Sequence, residues 1–162
     1  MAESKTIVNT VWYRDAKGDG RIKANKLKTK IAIPEPLGGS GEGANPKEML
    51  VSSAVSCYIM TLTYILQTMK LPVIGLIMNS EATNSKEEFK IVHYPRIILS
   101  ADATEEQSQS ANEALVVADQ RCEVGNLLKK AGVQIQIDGK VSLVSEDDII
   151  SKYVEEYELD WS

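Results

Sequence analysis

From Met49 to Ile65 the chain carries no charged side chain, and Cys57 sits near the middle of that run. No other feature of the sequence restricts the fold as strongly. A stretch of about 17 such residues has to leave water, either for a bilayer or for a protein core. Ser52, Ser53, Ser56, Thr61 and Thr63 interrupt it, and Lys47 and Lys70 bracket it. No second apolar stretch or lipidation motif accompanies it. The run reads as a long helix buried in a protein core and not as a membrane span. Pro46 suits its first turn, and it extends to about Lys70, just before Pro72.

The flanking segments read as strands and shorter helices. A strand is expected over Thr6 to Tyr13, with "DAKGDGR" as the turn after it. "KLKTKIAI" alternates, placing Leu27, Thr29, Ile31 and Ile33 on one face and Lys26, Lys28 and Lys30 on the other. The glycine-rich "PEPLGGSGEGANP" matches no phosphate-cradling pattern. It is either flexible backbone beside a site or a plain connector. Strands follow near Val73 to Ala82 and Glu88 to Ser100. Thr104 caps a helix through "EEQSQSANEALVVADQ". Cys122 lies close to a helix break, and "NLLKKAG" completes a short helix stopped by Gly132. "VQIQID" reads as a strand, with Asp138-Gly139 as a turn into "KVSLV". Ser145 to Tyr157 forms a final amphipathic helix, with Ser145 and Asp148 spaced like a capping box. The fold class is α+β.

A chain of 162 residues is one domain's worth of sequence. Its net charge of -5 and low aromatic content argue against a nucleic-acid partner. The N-terminus lacks the basic start and apolar run of a signal peptide, so a cytoplasmic location is expected. Two cysteines in that compartment do not make a structural staple. With a single histidine, His93, no metal-ligand spacing arises, and no metal or cofactor is expected. His93 itself reads as structural. What remains for Cys57 and Cys122 is either two inert buried thiols or a redox pair.

Two segments carry a resemblance to a known family. "PEPLGGSGEGANPKEMLVSSAVSC" (Pro34 to Cys57) and "ADQRCEVGNLL" (Ala118 to Leu128) resemble the OsmC/Ohr family of thiol-dependent peroxidases, closer to its organic hydroperoxide resistance branch. The interval of 65 positions between the cysteines fits the family as well. The likeness covers residues 5 to 144. It divides the chain into an OsmC/Ohr-like domain, 1–144, and a C-terminal helical extension, 145–162. It implies an intertwined homodimer in which sheet from both chains wraps each long central helix. It also implies that Cys57 lies in a small apolar pocket and reduces an organic hydroperoxide as the attacking thiol. Cys122 then resolves the product as a disulfide that an external dithiol reopens. No nucleic acid and no membrane enter this picture.

The chain departs from the family pattern at the groups that assist the thiol. The reaction needs a thiolate, free cysteine has a pKa of about 8.5, and burial raises it, so a nearby cation is required. The family supplies an arginine from a GRDGR-like turn, held by a glutamate that follows Asn-Pro. Here the turn reads "KGDGR", with Gly18 in the arginine's place, leaving Arg14, Lys17 and Arg21 as substitutes. Arg21 matches the second arginine of the motif. Lys47 takes the glutamate's place and Glu48 follows one step later. In a continuous helix Glu48 is about 13 Å along the axis from Cys57 and on nearly the opposite face. It acts across a dimer, as an anchor behind the site, or as a first-turn carboxylate. Two functions stay open. One is a peroxidase using Cys57, Cys122, Arg21 and Glu48. The other is an OsmC-like protein without peroxidase activity that binds a small apolar ligand or thiol compound at a dimer interface.

Overall fold

A computed structural model describes residues 3–162, which form two compact units, the first ending at Ser52 and the second running over Ser53–Ser162. In the first unit, β1 (Asn9–Tyr13), β2 (Asp19–Lys23) and β3 (Lys28–Ile31) form an antiparallel sheet in that order. The sequence predicts a turn where β2 begins, and the structure corrects this. The reversal is confined to Arg14–Gly18, where Arg14 takes a positive φ of 69°. Asp15 closes the turn: its Oδ1 accepts from Lys17 N–H at 3.0 Å and its carbonyl from Gly18 N–H at 2.9 Å. Asp19, Gly20 and Arg21 therefore belong to a strand, paired with Tyr13, Trp12 and Val11. The glycine-rich segment is a hydrogen-bonded connector. It passes through a 3-10 turn at Glu35–Leu37 and returns to β3, where Ala44 bridges Ile31.

The long helix α1 (Pro46–Thr68) starts in the first unit and continues into the second. Asn45 Oδ1 accepts the Glu48 N–H at 3.0 Å, and proline follows at the first helical position. Both features suit a helix start. By length and composition α1 passes for a bilayer span. Its buried residues, however, fall on a single stripe: Ala54, Tyr58, Leu62, Ile65 and Leu66. Leu50, Met60 and Tyr64 are 40%, 70% and 73% exposed, so within one chain α1 is not buried on nearly all sides.

In the second unit, β4 (Val73–Asn84) and β5 (Phe89–Leu99) form a long antiparallel pair. The chain then crosses through α2 (Glu105–Arg121) and α3 (Glu123–Lys130). Thr104 caps α2 in a complete capping box with Gln107. β6 (Gln134–Ile137) and β7 (Lys140–Leu143) follow. The sequence reads Asp138-Gly139 as a turn between these two strands, but they do not pair with each other. Both run parallel to β5, β6 along Lys90–His93 and β7 along Arg96–Leu99. The handover falls opposite Tyr94 and Pro95. Proline has no N–H for the ladder and is tolerated in a central strand where the partner is interrupted.

Leu62, Leu66, Ile97, Leu99, Ala111, Ala114 and Leu115 form the core between α1, α2 and β5, and both cysteines pack into it. The last helix, α4 (Ile149–Glu156), is capped by Asp148, whose side chain accepts the Ser151 N–H at 3.0 Å. Ser145 is not its cap. β4 is an edge strand. Ile150 of α4 stands over Gly75, where a Cβ would lie 2.6 Å from its Cδ1. Tyr153 hydroxyl donates to the Met78 carbonyl at 2.7 Å.

Candidate functional site

The two thiols lie in one hydrophobic core although 65 positions separate them. Cys57 faces that core from α1, half-buried, and its carbonyl accepts from the Thr61 hydroxyl at 2.7 Å. Cys122 occupies the single extended residue between α2 and α3 (φ -70°, ψ 107°) and is 3% exposed. It ends one helix and begins the next. Its Sγ accepts the Gly125 N–H at 3.4 Å, a sulfur doing the work of an N-cap oxygen. Both sulfurs are reduced.

Burial pushes the Cys122 thiol up to about 11. The Gly125 N–H pulls in the opposite direction, while the neighbouring Cys57 side chain and the negative charge of Asp119 add to the rise. Near neutral pH Cys122 is therefore a protonated thiol. Asp119 is held by Lys129 at 2.9 Å, and Asn126 Nδ2 donates to the Gln120 carbonyl at 3.0 Å. These two contacts bind α2 and α3 across the break that carries the thiol.

Tyr58, next to Cys57, is fully buried, and its hydroxyl donates to the Leu115 carbonyl at 2.9 Å. Its ring stacks on His93 with centroids 5.3 Å apart and planes at 23°. His93 is buried in β5, with Nδ1 2.7 Å from Ser80 Oγ, and burial lowers its pKa. It serves the core, as the sequence indicates. Tyr58 escapes sequence reading, although a buried tyrosine requires a partner for its hydroxyl and so gives a usable signal. The Asp119–Lys129 pair gives none, since it joins two helices across a break.

The remaining predicted groups lie in the first unit. Arg21 forms an ion pair with Asp19, which also has Lys30 at 3.7 Å. Arg21 beside it holds the Asp19 carboxyl below its ordinary pKa. Lys17 Nζ donates to the Gly39 carbonyl at 3.4 Å. Among the described residues Arg14 has no carboxylate within ion-pair distance. Glu48 is exposed in the first turn of α1. Gly18, in the family arginine's place, is closed to any side chain: a Cβ there would stand 1.9 Å from the Tyr13 carbonyl oxygen.

A cavity of ≈ 660 Å³ is walled by Val55 and Ile59 of α1, Leu76 and Met78 of β4, and Tyr153 and Val154 of α4. Cys57 does not line it. Val55 and Ile59 are each two residues from Cys57, about 200° around the helix.

Residues 39–138 match the family described as OsmC-like protein. The uncharacterized protein YmaD of Bacillus subtilis (strain 168) is 31% identical over 151 residues, covering 90% of this chain and all of YmaD. Among solved structures, an OsmC like protein from Mycoplasma pneumoniae aligns with a TM-score of 0.66 at 18% identity, over 89% of this chain and 100% of that one. An organic hydroperoxide resistance protein OsmC from Legionella pneumophila aligns with a TM-score of 0.62 at 18% identity, over 88% and 99%.

Proposed function

Because this chain belongs to the OsmC-like protein family, we propose that it is a thiol-dependent peroxidase for organic hydroperoxides, of the organic hydroperoxide resistance type. One observation carries this reading. Cys57 and Cys122 pack into one hydrophobic core although 65 positions separate them. The Cys57 thiolate attacks one peroxide oxygen and the O–O bond breaks. The alkoxide leaves as the alcohol after taking a proton from solvent, and Cys57 becomes a sulfenic acid. The Cys122 sulfur then displaces water from that sulfenic acid, and an external dithiol reopens the disulfide by exchange. A cytoplasmic location supplies such dithiols. The exposed apolar face of α1, with Met60 and Tyr64, supports a homodimer in which a second copy covers it.

The cation that stabilises the thiolate is one of Arg14, Lys17 and Arg21 in this reading. Arg21 is engaged by Asp19, and Lys17 by the Gly39 carbonyl. Glu48 serves as an anchor across the dimer. The same departures favour a second reading, an OsmC-like protein without peroxidase activity that binds a small apolar ligand or thiol compound. Its specific support is the closure of position 18 to arginine. Consumption of cumene hydroperoxide with a dithiol reductant, comparing the intact protein with Cys57→Ser, separates the two. Turnover that Cys57→Ser abolishes is expected. No turnover in the intact protein, or equal turnover in both, would favour the second reading.

A further inference from the structure

We propose that Tyr58 is a positioning residue for the cysteine pair, its hydroxyl on the Leu115 carbonyl fixing the offset of α1 against α2 that keeps Cys57 and Cys122 within reach. The inference rests on reading the two thiols as redox partners.

Tyr58 follows Cys57 on an unbroken helix, so any displacement of one carries the other. Leu115 lies seven residues before Cys122 on α2, about two turns, and thereby sets the height of the second sulfur. The buried face of α2 consists of Ala111, Ala114, Leu115 and Ala118. Alanine methyls permit close approach but make a smooth stripe with few features to resist sliding. A directional hydrogen bond in an apolar contact specifies register where packing alone does not. Tyr58 is gripped at both ends. The Leu115 carbonyl holds its hydroxyl, and His93, itself fixed by Ser80, holds the face of its ring. Burial, then the charges of Asp119 and Cys122, raise the phenol's pKa and keep it a donor.

Tyr58→Phe removes the tie cleanly. The ring remains, and the Leu115 carbonyl keeps its place in the helix ladder, so no acceptor is orphaned. The readout is the equilibrium of the pair with dithiothreitol: two protein thiols plus oxidised dithiothreitol give the protein disulfide plus the reduced dithiol. No hydroperoxide takes part. Tyr58→Phe should lower the equilibrium constant about 5- to 10-fold, the loss of one net hydrogen bond. Ile97→Val, a change in the same core, should move it less than about 2-fold at a matched melting temperature. If Tyr58→Phe fails to fold, Ser80→Ala, which frees His93 beneath the ring, should lower the constant in the same direction.

An unchanged constant in the folded variant overturns the proposal, and so does an equal shift in Ile97→Val. A wild-type protein that forms the disulfide with oxidised dithiothreitol but not with hydroperoxide refutes the peroxidase reading and leaves the positioning role intact.

Discussion

The Gly125 N–H points at the sulfur of Cys122 from 3.4 Å, so the thiol is both a helix cap and one half of the pair. Burial raises its pKa from the ordinary 9.0 to about 11. The folded state therefore favours the protonated thiol. That contribution, about 2–3 kcal/mol, is complete below pH 9 and disappears as pH rises from about 9 to about 11. Unfolding free energies across this range should fall more steeply for wild type than for Cys122→Ala. Burial, the largest cause of the raised Tyr58 pKa, acts in both proteins, so most of that titration cancels in the difference. Parallel profiles would contradict the assignment.

At neutral pH iodoacetamide should label Cys57 before Cys122, because Cys122 is buried and protonated while Cys57 is half-exposed. With one equivalent of hydroperoxide, peptide mapping should find a Cys57–Cys122 link. In Cys122→Ser the sulfenic acid has no partner, and sulfinic Cys57 should accumulate. Oxidation of Cys122 first, with Cys57 intact, would reverse the roles.

Restoring the family arginine at position 18 should fail. A side chain there meets the Tyr13 carbonyl, so Gly18→Arg and Gly18→Ala should each cost more than about 1 kcal/mol in urea unfolding. Peroxidase activity should not rise in either. The alkylation rate of Cys57 should fall in one of Arg14→Ala, Lys17→Ala and Arg21→Ala, and no change in any of the three would show that another group stabilises the thiolate. A gain of activity in Gly18→Arg would show that the turn can remodel.

Met60→Glu puts a charge on the exposed face of α1. It should leave the single chain folded by circular dichroism and shift the sedimenting species from dimer to monomer. A wild-type protein that sediments as a compact monomer at micromolar concentration would rule the dimer out.

Tyr153→Phe deletes the hydrogen bond to the Met78 carbonyl and should lower stability by about 0.5–1.5 kcal/mol. Ending the chain at Val144 also removes Ile150 and leaves β4 with an uncovered edge. That variant should aggregate on warming, as read by light scattering, whereas Tyr153→Phe should not. An unaltered melting curve in the shortened chain would show that the segment is dispensable.

What was legible in the sequence is what neighbouring residues decide. Asn45-Pro46 opens α1, Thr104 and Gln107 frame α2, and the break at Cys122 follows from local signals. β2 was lost because Asp19-Gly20 has the composition of a turn, while its strand character comes from pairing with Trp12 and Tyr13. Asp138-Gly139 misled for a similar reason. A turn dipeptide predicts reversal, but β5 captures both flanking strands in parallel. Choosing between Ser145 and Asp148 as the cap needed the helix start to be known. The meeting of Cys57 and Cys122 could not come from spacing at all. It came from resemblance, and in the structure both thiols pack into one core. The roles of Arg21 and Glu48 remain with the proposal.

β5 has a neighbour on each side along most of its length: β4 on one, then β6 followed by β7 on the other. The β4–β5 hairpin closes over a short loop and needs nothing else to begin. The second side has to wait until the chain has passed through α2 and α3, a long loop closure that slows refolding. Amides of β5 should therefore exchange last in the native protein and gain protection in two stages during refolding. The first stage belongs to the hairpin, and the second coincides with the arrival of Cys122 beside Cys57.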